Sequence, residues 1–366
     1  MSDCTKDIGH EPTAASPSAP TMGQPLLSVK GLRKYFPIKG GLLKRQIAAI
    51  QAVDDVSFEV RRGEVLGIVG ESGCGKSTTA RLLMRLIEPD AGQVIFDGKE
   101  VGVRDGMTVT DLRRHAQMVF QDSYSSLNPR LPVEDTIAFG PMVHGTGRSA
   151  AKERARYLLN EVGLDPSRFG RRYPHELSGG QRQRINIARA LALQPQMVFL
   201  DEAVSALDKS VEAQVLNLLL DLREEFNLTY VFISHDLNVV QYISDRVLVM
   251  YLGKVVELGP IGDVYKEPAH PYTRALLSSR PSMDPEDRKK ESPLSGDPPT
   301  PINPPSGCRF RTRCAFAEDV CARIAPTLTP IRADGSWLAA CHMIVPGSGH
   351  SRASAINETT SRDTNG

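Results

Sequence analysis

The apolar positions of this chain form short runs that alternate with segments in which apolar residues recur at helical spacing. The short runs predict strands, and recurrence every three or four positions predicts amphipathic helices. Buried strands that alternate with helices are typical of an α/β core built on a parallel sheet. We expect strands at 26–36, 56–60, 64–70, 92–98, 116–120, 196–202 and 228–234, and two more around a Gly-Lys turn within 245–259. We expect helices at 76–87 and 210–226, and a mostly helical insert at 122–193.

Changes in composition divide the chain into four parts. Residues 1–25 are rich in Ser, Pro, Ala and Thr and lack the basic start and apolar core of a secretory signal, so we expect a disordered leader. A large α/β domain at 26–260 follows. We expect a smaller C-terminal domain at 261–345 and a disordered tail at 346–366.

Charge and hydropathy argue against two classes of protein. The chain has 366 residues, and its 44 Lys and Arg balance its 43 Asp and Glu. No bulk positive charge therefore points to a nucleic-acid partner. No run of about 18 apolar residues occurs, so the sequence predicts no membrane span.

The stretch GESGCGKST, at 70–78, matches the phosphate-binding pattern G-x-x-x-x-G-K-[ST]. It lies between a predicted buried strand and an amphipathic helix. Its glycines let the backbone wrap phosphates without Cβ clashes. Lys76 supplies a positive charge, and the Ser77 hydroxyl can ligate Mg²⁺. A glycine-rich turn without a ligand is the alternative interpretation.

The stretch MVFLDE, at 197–202, supplies a partner for this loop. Its apolar run predicts a buried strand whose end presents Asp201, which is suited to hold Mg²⁺ through water. Glu202 lies just beyond and can accept a proton from an attacking water. Together the two stretches predict hydrolysis of a nucleoside triphosphate.

A second anion-binding helix start lies at LSGGQ, residues 177–181. Two glycines at a helix start expose backbone N–H groups, which favour an anion together with the helix dipole. The chain already has a phosphate loop, so this helix start makes sense if it serves a nucleotide held by another chain.

Over roughly 26–258, these motifs and their order resemble the ATP-binding subunits of ABC transporters. The resemblance implies a P-loop NTPase of ABC type with a mixed or parallel sheet core, an antiparallel β subdomain, the helical insert and a small Cys-containing C-terminal domain. It implies a head-to-tail dimer in which each ATP lies between the phosphate loop of one subunit and the LSGGQ of the other.

The resemblance also implies roles for single residues. Glu202, His235 and Gln121 are expected to be catalytic, and Ser77, Gln121 and Asp201 to hold Mg²⁺. An aromatic ring, Phe36 or alternatively Tyr35, is expected to stack on adenine. The full set of expected nucleotide contacts is Phe36, Gly70, Glu71, Ser72, Gly73, Cys74, Gly75, Lys76, Ser77, Thr78, Ser178, Gly179, Gly180, Gln181, Asp201 and Asp208.

The stretches SLNPR (126–130) and HPYTRALL (270–277) and the cysteine-bearing tail resemble the oligopeptide/dipeptide importer branch. This implies an ATPase that powers peptide import at the cytoplasmic face of the inner membrane. The implied partners are two permease subunits, a second ATPase, expected to be a sister chain, and indirectly an extracytoplasmic solute-binding protein. Glutathione, a nickel chelate or an opine are alternative solutes. A soluble ABC ATPase remains a second interpretation, and a P-loop kinase or GTPase, which would not need LSGGQ, a third.

Four of the six cysteines cluster near the C-terminus, separated by five, six and nineteen residues. These separations differ from the C-x₂-C pairs of common zinc ribbons. Four thiolates are the usual ligands of an iron–sulfur cluster, and the resemblance favours [4Fe–4S] over zinc. His342 keeps zinc open, and unliganded buried cysteines are a third interpretation. We expect a structural role distant from the ATP chemistry for these residues, Cys308, Cys314, Cys321 and Cys341.

Overall fold

The computed structural model describes residues 23–40, 45–279 and 299–353. The predicted leader and tail therefore lie mostly outside the described residues. The strands are β1 (Leu27–Gly40), β2 (Arg45–Val60), β3 (Val65–Val69), β4 (Ala91–Phe96), β5 (Lys99–Glu100), β6 (Ala116–Val119), β7 (Met197–Asp201), β8 (Thr229–Ile233), β9 (Arg246–Tyr251), β10 (Lys254–Pro260), β11 (Thr329–Pro330) and β12 (Leu338–Ala339). The helices are α1 (Lys76–Leu83), α2 (Val109–His115), α3 (Val133–Val143), α4 (Arg148–Glu161), α5 (Pro166–Phe169), α6 (Gly179–Leu191), α7 (Lys209–Phe226), α8 (Leu237–Ile243), α9 (Ile261–Lys266), α10 (Pro271–Ser278) and α11 (Asp319–Arg323).

The larger sheet has the strand order β11-β12-β10-β9-β3-β8-β7-β6. Strands β9, β3, β8, β7 and β6 run parallel, and β10, β12 and β11 extend one edge antiparallel. Side chains along β3 alternate between two buried clusters, with Val65 and Val69 in one and Leu66 and Ile68 in the other. Both faces of this strand are covered, which explains its continuous apolar sequence. The predicted α/β core with a mixed sheet is confirmed.

A smaller antiparallel sheet has the order β2-β1-β4-β5. The β4–β5 corner is an Asp-Gly turn, and both turn residues have the positive φ that such a tight turn requires, at 49° for Asp97 and 74° for Gly98. Strands β1 and β2 extend beyond the predicted 26–36 and 56–60. Pro37 and Gly40 are typical of a loop, yet they lie in the long β1–β2 ladder, where strand pairing overrides local preference.

The helical insert comprises α3 to α6, as the sequence predicts. Small and apolar residues on one face of α4, including Ala151, Ala155 and Leu158, pack into the main core. Four short helices, α2, α8, α9 and α11, were not predicted, and α1 ends at Leu83 rather than 87. None of the helices in the described ranges combines the length and hydropathy needed to cross a bilayer.

The C-terminal segment continues the larger sheet. Strand β12 pairs with β10, and the Trp337 indole N–H donates to the buried Glu257 carboxylate at 3.0 Å. Glu257 also accepts the backbone N–H groups of Ala269 and His270, at 2.9 and 3.0 Å. Burial raises the pKa of Glu257, and these donors act against that shift. The turn between β9 and β10 lies at Leu252–Gly253, one residue before the predicted Gly-Lys pair.

Candidate functional site

The loop between β3 and α1 forms a backbone cradle at the carboxyl end of the parallel strands. Gly70, Gly73 and Gly75 have φ of 150°, 77° and 109°, which residues with a side chain rarely adopt. A Cβ on Gly75 would also overlap the backbone oxygen of Ala52. The glycines therefore keep the loop tight, and helix α1 begins directly after it at Lys76, pointing its N-terminus into the cradle.

Lys76 is buried and held against the loop. Its ammonium donates to the carbonyls of Gly70 at 2.7 Å and Glu71 at 3.0 Å. The Cys74 thiol lies 3.8 Å from the same nitrogen, and burial raises the pKa of that thiol. A neutral thiol beside the lysine leaves its positive charge available to an anion in the cradle.

Ser77 and Asp201 meet at the floor of the cradle. The Ser77 hydroxyl donates to Asp201 Oδ1 at 2.8 Å. Burial raises the pKa of Asp201, and the serine hydrogen bond acts in the opposite direction. Hydroxyl and carboxylate oxygens are the hard donors that Mg²⁺ prefers, so the residues present suit the ion implied by the sequence.

Glu202 lies where three strand ends meet. It follows β7 with a positive φ of 49°, and its N–H donates to the carbonyl of Ile233 at 3.0 Å. Its carboxylate accepts a hydrogen bond from Gln121 Nε2 at 2.9 Å and lies 3.4 Å from His235 Nδ1. The residues predicted to be catalytic are thus brought together, and the strained backbone at Glu202 is held by the neighbouring strand.

A cleft of about 420 Å³ opens above the cradle. Phe36 and Ile50 of the long hairpin line this cleft, and so do Gln121 and Glu202. Tyr35 donates its hydroxyl to Asp54 at 2.6 Å instead of lining the cleft. The other lining residues are Ala52, Ser72, Gly73, Gly75, Lys76, Ser77 and Thr78.

The second predicted anion site lies at the start of α6, away from this lining. Ser178 is exposed and caps the helix reciprocally with Gln181: each backbone N–H donates to the other side chain, at 3.0 and 3.3 Å. Gly180 has no room for a side chain, because a Cβ would lie 2.5 Å from Val211. Asp208 directly precedes α7, and its side chain makes no capping hydrogen bond. Within the described chain, neither helix start contributes to the cleft.

The four C-terminal cysteines line one small cavity of about 10 Å³, together with His342 and His350. A φ of 64° at Gly307 lets the N–H of Cys308 reach the carbonyl of Cys321, at 2.7 Å. Burial raises the pKa of the Cys308 thiol to about 11 and that of Cys341 to about 12. Across the described residues, no group of three or more His, Cys, Asp or Glu side chains is arranged to hold a metal ion. The side chains, as the structure describes them, therefore form no site for the cluster that the sequence favours, or for zinc.

The sequence predicts that the cysteine-bearing segment lies distant from the ATP chemistry, and this prediction is wrong. Arg313, next to Cys314, forms a two-bonded ion pair with Glu71 of the phosphate loop, at 2.8 and 3.0 Å. Tyr272 accepts the Glu71 N–H at 2.9 Å. Sequence reasoning missed both contacts, and the only local signal was the alternation of arginine in CRFRTRC. Glu71, which the sequence predicts to contact the nucleotide, is not among the residues that line the cleft.

Comparison with known proteins identifies the family of this chain. Residues 53–205 match the family model described as ABC transporter, and residues 256–321 match the oligopeptide/dipeptide transporter C-terminal region. The oligopeptide transport ATP-binding protein AppF of Bacillus subtilis is 49% identical over 326 residues, which cover 87% of this chain and 97% of the relative. The dipeptide transport ATP-binding protein DppF of Haemophilus influenzae is 47% identical over 321 residues, with the same two coverages.

A solved structure with a similar fold is CbiO1 of Clostridium perfringens, a part of the ABC transporter complex CbiONQ. It is 27% identical to this chain with a TM-score of 0.57, and the match covers 66% of this chain and 91% of that one. The chain therefore belongs to the family of ABC transporter ATP-binding subunits, in the branch that carries the oligopeptide/dipeptide transporter C-terminal region.

Proposed function

We propose that this protein hydrolyses ATP to power the import of peptides through an ABC transporter. The observation that carries the proposal is the Glu202 carboxylate, which lies at the edge of the cleft between Gln121 and His235. A carboxylate held in this way, beside a phosphate cradle, can accept a proton from an attacking water.

Each part of the cleft has a role in this reaction. The loop N–H groups and Lys76 bind the phosphates, and Phe36 stacks on the base. When Mg²⁺ is bound, Ser77 and Asp201 would hold it, with Gln121 beside them, and it would neutralise phosphate charge. Glu202 takes the proton of the water, while His235, with 60% of its side chain exposed beside Glu202, would contact the γ-phosphate.

A head-to-tail dimer completes the site. The exposed start of α6 carries Ser178 and two glycines whose N–H groups have no partner within the helix. We propose that Ser178, Gly179, Gly180 and Gln181 contact the ATP held by the partner subunit, with Asp208 at the same interface. Because the nucleotide then contacts both subunits, binding favours the closed dimer and hydrolysis opens it.

The solute and partners are proposed from the relatives. Those that match nearly their full length are named as peptide import, oligopeptide transport and dipeptide transport proteins. A peptide carried by two permease subunits fits these names better than glutathione, a nickel chelate or an opine. We place the chain at the cytoplasmic face of the inner membrane with a sister ATPase, and a solute-binding protein acts on the far side.

We further propose that the cysteines of the C-terminal cavity bind a structural metal. The convergence of Cys308, Cys314, Cys321 and Cys341 on one cavity supports this, since four thiolates suit either zinc or iron.

The proposed function is tested by adding the purified membrane subunits to the full-length protein and measuring phosphate release from ATP. We expect hydrolysis to rise on addition of the membrane subunits and to vanish in Glu202→Gln. An ATPase whose rate ignores the membrane subunits would instead indicate a soluble, non-transport role.

A further inference from the structure

The segment after residue 260 contacts the phosphate loop through an ion pair whose arginine side chain is buried. Arg313 Nη1 lies 2.8 Å from Glu71 Oε2, and Nη2 lies 3.0 Å from Oε1. Only 5% of the Arg313 side chain is exposed. Two parallel charge-assisted hydrogen bonds at this depth fix direction as well as distance, which a lysine cannot do with one ammonium group.

Glu71 is held at three points. Arg313 binds its carboxylate, the Tyr272 hydroxyl accepts its N–H at 2.9 Å, and Lys76 donates to its carbonyl at 3.0 Å. Two of these partners come from the segment after residue 260, beyond the last strand of the ATPase core. The first residue after Gly70 is therefore positioned largely by the C-terminal segment.

Arg313 is itself held by a packed aromatic cluster. The Phe310 ring is 3% exposed, and its centroid lies 5.3 Å from that of Tyr251 and 5.4 Å from that of Tyr272. Arg313 also donates to the Tyr251 hydroxyl at 3.4 Å. Phe310 thus anchors the turn at 309–313, which carries Arg313, against β9 and α10.

A second arginine fixes the other side of the same turn. Arg309 contacts Asp54 Oδ2 at 2.5 Å and Gln51 Oε1 at 2.6 Å, and it donates to the carbonyl of Leu252. These contacts join the turn to β2 and to the β9–β10 corner, which both lie next to the loop. The turn is therefore attached to two elements of the core, so its position does not depend on that of the phosphate loop.

We propose that Arg313 is a positioning residue for nucleotide binding, which the C-terminal segment supplies to the phosphate loop through Glu71. The inference rests on the proposed ATPase function. The loop contains three glycines at positive φ, so ordering it costs conformational entropy. Fixing Glu71 before the nucleotide arrives removes part of that cost and raises affinity, although Arg313 does not touch the nucleotide.

The test compares MgADP binding to full-length variants by calorimetry. We expect Arg313→Met to raise the dissociation constant about tenfold, the loss typical of a hydrogen-bonded charge pair. We expect Arg313→Lys, which keeps charge but loses the second bond, to lie between Met and wild type. In the assembled transporter, the KM for ATP should rise while kcat at saturating ATP stays within about twofold, since the chemistry is unchanged.

Arg311→Met is the matched control. Arg311 lies on the same turn, but its guanidinium donates to the carbonyl of Ser306 within the segment. We expect normal binding from this variant and an unchanged melting temperature without nucleotide. Glu71→Gln combined with Arg313→Met should lose little more than either change alone, because both break one ion pair.

Three results would overturn the inference, and they separate it from the proposed function. Wild-type affinity in Arg313→Met, with binding lost in Lys76→Ala, would leave the ATPase role intact and remove the role of Arg313. Equal losses in Arg311→Met and Arg313→Met would mean that the turn supports folding only. Failure of the wild-type protein to bind MgADP would refute both. If Arg313→Met does not fold, Arg313→Lys decides in the same assay.

Discussion

The replacement Glu202→Gln isolates the proton-accepting role of one carboxylate. The amide keeps the size of the side chain, and its oxygen can still accept the Gln121 hydrogen bond that measures 2.9 Å. It loses the negative charge 3.4 Å from His235 and the ability to take a proton. A general base contributes about 10²- to 10⁴-fold to a rate, so we expect turnover to fall by that factor. This corresponds to about 3–5 kcal/mol of transition-state stabilisation.

Phosphate release by the assembled transporter and MgATP binding by the same protein provide the assay. Because Glu202 lies at the edge of the cleft and the phosphate cradle is untouched, we expect affinity to stay within about twofold. Glu88→Gln is the control. Glu88 is an exposed glutamate that pairs with Arg85, just beyond the C-terminal end of α1, at 3.3 Å. Turnover within tenfold of wild type would refute the assignment of Glu202 as the base.

Three further predictions concern other parts of the molecule. Ser178→Arg should stop hydrolysis of the ATP held by the partner subunit, while the phosphate loop of the variant subunit still binds ATP. A mixed dimer with Lys76→Ala in the other subunit tests this. Full activity from a proven monomer would contradict it. Anaerobically purified protein should contain one metal centre, which Cys314→Ala loses. A brown colour would indicate the iron–sulfur cluster, and stoichiometric zinc would reject the cluster. Four freely titratable thiols without metal would reject both the cluster and zinc. Burial lowers the pKa of His270 from 6.5 to about 3, so folding stability should fall as pH drops below about 6.5, by at most about 1.4 kcal/mol per pH unit. His270→Asn, which can still accept the Tyr272 N–H, should flatten this slope in urea unfolding, and an unchanged slope would contradict the prediction.

The catalytic centre was predictable because its residues follow local rules. A glycine-rich loop needs positive φ at Gly70, Gly73 and Gly75, and buried strands carry continuous apolar sequence up to Asp201. Each rule acts over a few consecutive positions, so a single sequence is enough to recognise the pattern. The same holds for the start of α6, where Ser178 and Gln181 are three residues apart and cap each other.

Contacts between distant segments were not predictable in this way. Glu71 and Arg313 are separated by 242 positions, and no sequence pattern near either residue indicates the other as its partner. The pairing of β12 with β10 likewise depends on how the C-terminal segment folds back, and β12 has only two residues. Such short pairings are set by tertiary packing and not by strand propensity. The sequence therefore placed the cysteines far from the nucleotide, while the fold places their turn against the phosphate loop.

Peptide uptake into vesicles that contain the assembled transporter tests the central claim most directly. The chain would be combined with its permease subunits and sister ATPase, and accumulation of a labelled peptide would be measured with and without ATP on the side that carries the ATPases. We predict uptake that requires ATP and disappears with Glu202→Gln, with ATP binding retained. Uptake that continues with Glu202→Gln, or ATP hydrolysis without peptide movement under any of the assembled conditions, would contradict the account.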